Sequence, residues 1–348
     1  MVQLNTDWRY QRQNCFDIQE RRLASFQFDK EWLVYGNVNL SIFITDKCNA
    51  KCDFCVAELR YVDGGNIYVK PTIQDDEEYF SRIEEIIIRL KPLNLSVSVT
   101  GGEPTHCKRI RRVCELLKKH NIRKKTITTN GTGLLNDAGD GKIVLDVLIE
   151  NGFQHLNISR AHHDSKANHR LMRYGGRIVE LTDENLSAIS NKANANGLRV
   201  RLSCVLTKEG IHTIPEMKEY MDFAKQMGID NVVFRELMRY DVDRIAKGRI
   251  HTFCEANRVD LQGIWEQIDN DKSFVLENQV LGYYYYVEVY KYNGIDMVSE
   301  SANIQQIGVE KAKPAETPVV YEMVLHPNGC LNGSWREWED LLLTYEKH

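Results

Sequence analysis

The chain has 348 residues, of which 43% are hydrophobic, enough for one large domain or two smaller ones. Its 45 Lys and Arg against 49 Asp and Glu give a net charge of −4, whereas proteins that coat nucleic acid are usually basic. No apolar run approaches the roughly 18–20 residues that span a bilayer, and the N-terminal residues do not resemble a signal peptide. We therefore expect a cytoplasmic protein without a nucleic-acid or membrane partner.

A strand-then-helix order recurs along the middle of the chain. Short segments rich in β-branched residues predict six strands, at 38–45, 95–100, 125–129, 154–159, 198–206 and 229–234. Apolar residues at helical spacing predict helices over 75–90, 107–119, 183–195 and 215–227. Strands joined by helices pair in parallel through right-handed crossovers, so this order predicts a partial α/β barrel or an open α/β sheet.

Two stretches fall outside this order and divide the chain. Residues 1–36 precede the first predicted strand, and their apolar side chains can cover one end of the sheet. Residues 249–348 contain an aromatic-rich strand pair around 282–292 and a turn at Pro327–Gly329. We therefore predict an N-terminal extension (1–36), a barrel (37–248) and a small β-containing C-terminal region (249–348) packed on or beside the barrel.

Three of the nine cysteines lie within eight residues of each other. Cys48, Cys52 and Cys55 form a C-x3-C-x2-C motif directly after the first predicted strand. The odd number of cysteines and the lack of an export signal argue against a disulfide framework. A structural zinc site usually takes four ligands in two pairs, and a [4Fe–4S] cluster usually takes a thiolate on every iron. Three thiolates suit a cluster in which one iron stays open for a ligand that is not protein.

This motif, with the aromatic Phe54 before its last cysteine, resembles the signature of radical S-adenosylmethionine (SAM) enzymes. Gly101-Gly102-Glu103, at the end of the second predicted strand, resembles the segment that binds the SAM amino group in that family. An ammonium group needs acceptors, and glycines let the backbone approach closely. The resemblance covers roughly residues 38–240.

The resemblance implies a fold, cofactors and a reaction. The fold is an α/β partial (β/α)6 barrel, and the cofactors are one [4Fe–4S] cluster bound by the three cysteines and SAM as the ligand of the fourth iron. An electron from the cluster, supplied by a flavodoxin- or ferredoxin-type donor, cleaves SAM to a 5′-deoxyadenosyl radical. That radical takes a hydrogen atom from the substrate.

Further positions match strand ends of the family, and the resemblance implies that they contact the cofactor. They are Asn130, Ser159, Arg160, Ser203 and Glu236, for which strand-end capping and salt bridging are the alternative roles. The sequence around Glu236 resembles the molybdenum-cofactor-synthase-like branch of the family. The C-terminal region offers only Cys254 and Cys330, which are too few for an auxiliary cluster. We therefore predict a single cluster, which argues against the GTP-cyclising activity of that branch.

Three residues are candidates for catalytic steps after SAM cleavage. His162 and His163 follow the fourth predicted strand and can contact a polar substrate or transfer protons. The alternative is a solvated loop in which Asp164 caps a helix. Cys330 follows the predicted turn and is a candidate hydrogen-atom donor to a substrate radical, the alternative being a small buried hydrophobic residue.

The sequence therefore predicts an oxidoreductase- or lyase-type radical SAM enzyme. The predicted substrate is a small polar metabolite, such as a natural-product or nucleotide-like intermediate, and the alternative is a ribosomally made peptide. Two rival hypotheses come from other classes. An iron–sulfur electron carrier or redox sensor requires a fourth protein ligand, and a zinc-stabilised binding module would be colourless.

Overall fold

The computed structural model of the chain describes residues 23–35, 38–65, 72–175, 181–281, 285–302 and 317–345. Its strands are β1 (Leu23–Gln27), β2 (Glu31–Tyr35), β3 (Asn39–Phe43), β4 (Ser96–Thr100), β5 (Lys124–Thr129), β6 (His155–Ser159), β7 (Arg199–Val205), β8 (Asn231–Arg235), β9 (Phe274–Leu281), β10 (Tyr285–Tyr292), β11 (Ile295–Ala302), β12 (Val319–Val320), β13 (Met323–Leu325), β14 (Leu331–Asn332) and β15 (Leu341–Leu343). Its helices are α1 (Asp76–Leu90), α2 (Ile110–Lys119), α3 (Val144–Glu150), α4 (Ser165–Met172), α5 (Asp183–Ala195), α6 (Ile214–Gln226), α7 (Arg249–Asn257) and α8 (Leu261–Asn270). In the ranges just given, no helix is long and apolar enough to cross a membrane.

A twelve-stranded sheet forms the centre of the protein. Its strand order is β15-β14-β13-β3-β4-β5-β6-β7-β8-β11-β10-β9. Strands β3 to β8 pair in parallel, each with the next along the chain. All six lie where the sequence predicts strands, and the predicted α/β partial barrel is confirmed. The parallel order follows from the helices that separate the strands in sequence.

Strands of the C-terminal region extend this sheet at both edges. β11 pairs in parallel with β8, and β13 pairs in parallel with β3. The C-terminal region, expected on or beside the barrel, is thus continuous with the barrel sheet. The physical reason is that the outer strands of a partial barrel leave backbone N–H and C=O groups unpaired, and added strands satisfy them. The predicted boundaries at 37–248 and 249–348 stay a prediction.

The hairpin of β1 and β2 forms a separate sheet with β12. Phe28, Trp32 and Val34 of this hairpin are buried in the main core. Arg89, in the last turn of α1, donates a hydrogen bond to the Phe28 carbonyl oxygen at 3.1 Å. Because α1 ends just before β4 begins, the hairpin covers the N-terminal end of the parallel strands. Residues 1–22 of the predicted extension, and 282–284 of the predicted aromatic strand, lie outside the described residues.

The two faces of the parallel sheet differ in chemistry because successive side chains of a strand point to opposite sides. One face is apolar and packs against the helices, with Ile42, Val99, Ile127, Ile158 and Leu202 among its buried residues. The opposite, inner face carries polar side chains, including Ser98, Thr126, Asn157, Arg201 and Ser203. A polar inner wall is therefore built directly into the strand pattern.

Candidate active site

Residues 44–59, which we name the cysteine loop, connect β3 to the rest of the barrel and carry the three-cysteine motif. The loop is tied to the carboxyl end of β4 by two backbone hydrogen bonds. Gly102 N donates to Thr45 O at 2.6 Å, and Glu103 N donates to Lys47 O at 2.8 Å. The loop therefore lies at the carboxyl edge of the strands, where α/β barrels place their active sites.

The two glycines of the Gly101-Gly102-Glu103 motif are required by the cysteine loop itself. A Cβ atom on Gly102 would lie 2.1 Å from Lys47 O, and one on Gly101 would lie 2.6 Å from Thr45 O. Both contacts are with backbone atoms, which cannot move away by a side-chain rotation. Gly101 also has φ of +148°, in the region that favours glycine. The two glycines thus leave room for the backbone of the cysteine loop. The predicted contact of the Gly101-Gly102-Glu103 motif with SAM stays a prediction.

The three motif cysteines are partly buried, and none forms a disulfide. Burial raises the pKa of Cys48 to about 11. Burial, followed by the charges of Cys55 and Cys48, raises the pKa of Cys52 well above its usual value. Iron would offset this cost by binding the thiolates. Among the described residues no three His, Cys, Asp or Glu side chains converge on one ion, and a [4Fe–4S] cluster instead places each thiolate on a different iron. The donor set fits such a cluster.

Asp53, between the second and third cysteines, anchors the loop between two helices. Its carboxylate pairs with Arg173, after the last turn of α4, at 2.9 Å and also pairs with Arg249 at the start of α7. Arg249 donates as well to the Lys51 carbonyl oxygen at 3.4 Å. The side chains of Lys51, Arg173 and Arg249 are 63%, 48% and 43% exposed, so the outer surface of the loop is basic. Sequence analysis missed this anchor.

Phe54 lies between two apolar clusters that flank the loop. One contains Leu237 and Cys254, and the other contains Leu171 and Met172. The aromatic ring therefore packs the loop against both the segment after β8 and helix α4. Its predicted role as a cofactor contact stays a prediction.

Glu103 is almost fully buried, with 1% of its surface exposed, and its carboxylate joins the ends of two strands. Its Oε1 atom accepts hydrogen bonds from Thr105 N at 2.9 Å, from Thr105 Oγ1 at 2.6 Å and from Thr129 Oγ1. Its Oε2 atom accepts from Asn130 N at 2.7 Å. The carboxylate therefore braces the ends of β4 and β5 in addition to the predicted role toward SAM.

Asn130 connects β5 to the cysteine loop through a network that sequence analysis missed. Its Nδ2 atom donates to Oδ1 of Asn49, the residue after the first cysteine, at 2.7 Å. Asn49 Nδ2 donates to Thr132 Oγ1 at 2.8 Å, and the same hydroxyl lies 2.9 Å from His106 Nε2. The polar residue beside the cysteine in Cys48-Asn49 is the only local signal for this network.

Ser159, Ser203 and Glu236 lie at the carboxyl ends of three strands, as predicted. Ser159 and Ser203 are neighbours across β6 and β7, and Ser203 Oγ accepts from Arg235 Nε at 3.0 Å. Glu236 pairs with Arg239 through one carboxylate oxygen, while the other is buried with no partner in the described part of the chain. A buried acceptor without a donor fits a ligand that carries N–H or O–H groups. These residues therefore suit a bound polar cofactor.

Arg160, predicted as a cofactor contact, forms a buried network of hydrogen bonds after β6. Its side chain is 2% exposed and pairs with Asp183 at 2.8 Å. It also donates to the carbonyl oxygens of His162 at 3.1 Å and His163 at 3.0 Å. These bonds hold the loop after β6. The cofactor contact predicted for Arg160 is untested, and its recorded bonds favour a structural role.

His162 and His163, predicted as catalytic, are in contact, with ring centroids 4.4 Å apart and ring planes tilted by 36°. His163 lies 3.6 Å from Glu219 of α6, which directs it toward the helix layer. The Asp164 carboxylate caps α4 by accepting from Ala167 N at 2.8 Å, as the alternative hypothesis expects. Burial, and then the neighbouring His163, lowers the pKa of His162. The loop that carries both histidines contacts α4 and α6. These contacts do not support a catalytic role for the pair, which stays a prediction.

Cys330 lies in the tight turn between β13 and β14, which forms as predicted around Gly329 with φ of +87°. Burial raises the pKa of its thiol, and the charged neighbours that act on it are Arg82, Glu337 and Asp29. Arg82 belongs to α1, on the helix-facing side of the sheet. The predicted role of Cys330 as hydrogen-atom donor stays a prediction.

Comparison with known proteins tests the resemblance. Residues 42–221, more than half of the chain, match the family model described as the Radical SAM superfamily. The chain belongs to this superfamily. A radical SAM enzyme binds SAM and a [4Fe–4S] cluster, so the predicted family and the predicted enzyme class are confirmed.

Curated relatives place this radical SAM chain beside GTP 3′,8-cyclases. It is 26% identical to the GTP 3′,8-cyclase of Mesorhizobium japonicum over 208 residues, which cover 59% of this chain and 56% of that protein. It is 28% identical to the mitochondrial GTP 3′,8-cyclase of Arabidopsis thaliana over 216 residues, 58% of this chain and 46% of that protein. The match thus spans about half the length of these relatives.

A solved structure shows the same fold. SuiB of Streptococcus suis, solved bound to S-adenosylmethionine, superposes with a TM-score of 0.51 and 18% sequence identity. The superposition covers 86% of this chain and 61% of that one. The likeness therefore extends over both the barrel and strands of the C-terminal region, and at this identity it shows the fold alone.

Proposed function

We propose that this radical SAM enzyme binds one [4Fe–4S] cluster through Cys48, Cys52 and Cys55 and, with SAM, abstracts hydrogen from a small polar metabolite. When bound, the cluster and SAM supply the 5′-deoxyadenosyl radical for this step. The chain's own residues hold the cysteine loop against β4 and offer polar acceptors at the strand ends. A flavodoxin- or ferredoxin-type electron donor and a cytoplasmic location belong to the same proposal.

The observation that carries the proposal is the polar inner face beneath the cysteine loop. Hydroxyl, amide and guanidinium groups line it, on Ser98, Thr126, Asn157, Arg201 and Ser203. Such groups favour a substrate that makes hydrogen bonds, because an apolar substrate would leave them unpaired. The peptide alternative stays a prediction.

Cys254 is the residue on which the electron-carrier hypothesis depends. It lies on α7, is fully buried, and packs in one apolar cluster with Phe54 and Leu59 of the cysteine loop. The charge of Cys55 is among the causes that raise its pKa, although burial is the largest. Because Cys254 is fully buried among apolar side chains, we leave it outside the proposed ligand set.

Anaerobic reconstitution of the full chain, followed by dithionite and SAM, tests the proposal. We expect brown protein that releases 5′-deoxyadenosine. Cys52→Ala should abolish this release and lower the iron content, whereas Cys254→Ala should leave both at wild-type levels. If Cys254→Ala loses iron as Cys52→Ala does, the cluster has a fourth protein ligand and the result supports the electron-carrier hypothesis. A colourless wild-type protein that takes up zinc contradicts the proposal.

A further inference from the structure

Basic side chains are concentrated on the inner face of the barrel. Lys124, Arg199, Arg201 and Arg235 occupy inward positions of β5, β7 and β8, by the same alternation that turns Ser203 inward. Arg201 lies two residues before Ser203 on β7, which is about 7 Å deeper along the strand. Lys124, at the start of β5, therefore lies with Arg199 and Arg201 beneath the strand ends that carry the predicted cofactor residues, whereas Arg235 is the last residue of β8.

The acidic residues of this face are already paired with two of the arginines. Arg235 pairs with Glu300 across β8 and β11. Arg199 pairs with Asp230 at 3.3 Å and also with Asp296. These ion pairs use the carboxylates that could otherwise neutralise the remaining cations.

Arg201 and Lys124 have no carboxylate partner among the described residues. The bond recorded for Arg201 runs from Nε to the amide oxygen of Asn231, which leaves its Nη donors open. Burial and then the charge of Arg235 lower the pKa of Arg201, and burial and then the charge of Arg201 lower that of Lys124. Burial, Lys124 and Arg201 together lower the pKa of His155 to about 4. Glu300 and Asp296 act on Arg201 in the opposite direction and raise its pKa, but both are already paired with other basic residues, so the inner wall keeps an excess of positive charge.

Asn157 adds an acceptor next to this charge. It is the register partner of Arg201 on the neighbouring strand, and its amide oxygen is buried without a partner in the part of the chain that the structure describes. An acceptor left without a donor beside an unneutralised guanidinium suits a ligand that carries an anionic group and, close to it, an O–H or N–H group.

We propose that Arg201, Lys124 and Asn157 form the site for an acidic group of the substrate, a carboxylate or a phosphate with a neighbouring hydroxyl or amine. This inference rests on the proposed function, which makes the inner face the substrate site. An anion held at this depth orients the rest of the substrate toward the carboxyl ends of the strands. The substrate class is thereby narrowed from a polar metabolite to an acidic one.

Calorimetric titration of the reconstituted full chain tests the site, with inorganic phosphate and succinate as probes and potassium chloride keeping the ionic strength constant. We expect one of the two probes to bind to the wild type, and the one that binds identifies the acidic group. Arg201→Gln and Lys124→Gln should each raise its dissociation constant by about tenfold or more, since each removes a charged hydrogen-bond donor. Arg201→Lys should retain part of the binding. Arg112→Gln, which removes an exposed arginine paired with Glu77 on the outer surface, is the matched control and should bind as the wild type does.

Two results overturn the inference: neither probe binds to the wild type, or binding survives both Arg201→Gln and Lys124→Gln. Lys124 is exposed and has no partner in the described residues, so its replacement tests the site even where Arg201→Gln folds poorly. Release of 5′-deoxyadenosine by the wild type is measured in the same preparation. SAM cleavage without anion binding overturns this inference alone, whereas anion binding without SAM cleavage overturns the proposed function.

Discussion

Glu103→Gln tests whether the buried carboxylate braces the strand ends. The carboxylate accepts hydrogen bonds from Thr105, Thr129 and Asn130, with one of its oxygens taken by the Asn130 backbone N–H at 2.7 Å. A glutamine has a single acceptor oxygen, so its NH2 group must face backbone or hydroxyl donors on one side. At least one buried donor then loses its partner, and the remaining bonds lose their charge assistance. Bonds to a charged group contribute about 1.5–3 kcal/mol each, so we expect the free energy of unfolding to fall by about 2–4 kcal/mol.

The assay for Glu103→Gln is equilibrium urea unfolding of the cluster-free chain, without SAM. The matched control is Glu77→Gln, which removes the charge of an exposed carboxylate paired with Arg112. Exposed ion pairs contribute little to stability because solvent screens them, so the control should unfold close to the wild type. If both variants unfold at the same urea concentration while Glu103→Gln weakens SAM binding, the carboxylate is a ligand group only and the bracing argument fails.

Three further substitutions test other parts of the site. Arg160→Met should lower the free energy of unfolding by about 2–4 kcal/mol in urea, because it removes a buried guanidinium that bonds Asp183 and two carbonyl oxygens. Unchanged stability with lost SAM binding would favour the predicted cofactor role. Gly102→Ala should lower iron incorporation while the helical circular dichroism stays unchanged, since its Cβ displaces the backbone of Lys47; normal iron content would contradict the packing argument. If an acidic flavodoxin docks on the basic outer surface of the cysteine loop, Lys51→Glu should slow 5′-deoxyadenosine formation by about 3- to 10-fold at low salt. The same variant should react with dithionite at the wild-type rate. Equal slowing with both reductants would exclude docking at this surface.

The sequence was sufficient for elements whose signal is local. Helix α1, predicted over 75–90, spans Asp76–Leu90, and the Asp75 carboxylate caps it by accepting from Glu78 N. Its apolar spacing runs over four turns, long enough to define a face. Helices α3 and α4 were not predicted: α3 has seven residues, and α4 is largely polar, so neither gives a clear 3.6-residue period.

The residues of the site also fall into two groups: those with a local signal in the sequence and those that meet only in the folded chain. The three cysteines and the Gly101–Glu103 segment are short motifs, each visible in a few consecutive residues. The anchor of the cysteine loop is not, because Asp53 meets Arg173 and Arg249 across 120 and 196 residues of chain. Surface arginines near helix ends are common, and only the fold shows that these two converge on one carboxylate. The paired acids beside Arg201 were hidden for the same reason, since Glu300 lies on a strand that was predicted to belong to another region.

The basic inner wall also has a consequence for stability. Arg160 is fully buried and Arg201 is partly buried, yet Arg160 has a carboxylate partner and Arg201 has none among the described residues. Burial and the charge of Arg235 lower the pKa of Arg201, which means that folding opposes its positive charge. Arg201→Gln should therefore leave the free energy of unfolding unchanged or raise it, opposite to the loss expected for Arg160→Met. If the free energy of unfolding falls as far for Arg201→Gln as for Arg160→Met, Arg201 stabilises the fold. Its unpaired charge would then have a structural role and would give no reason to expect a ligand.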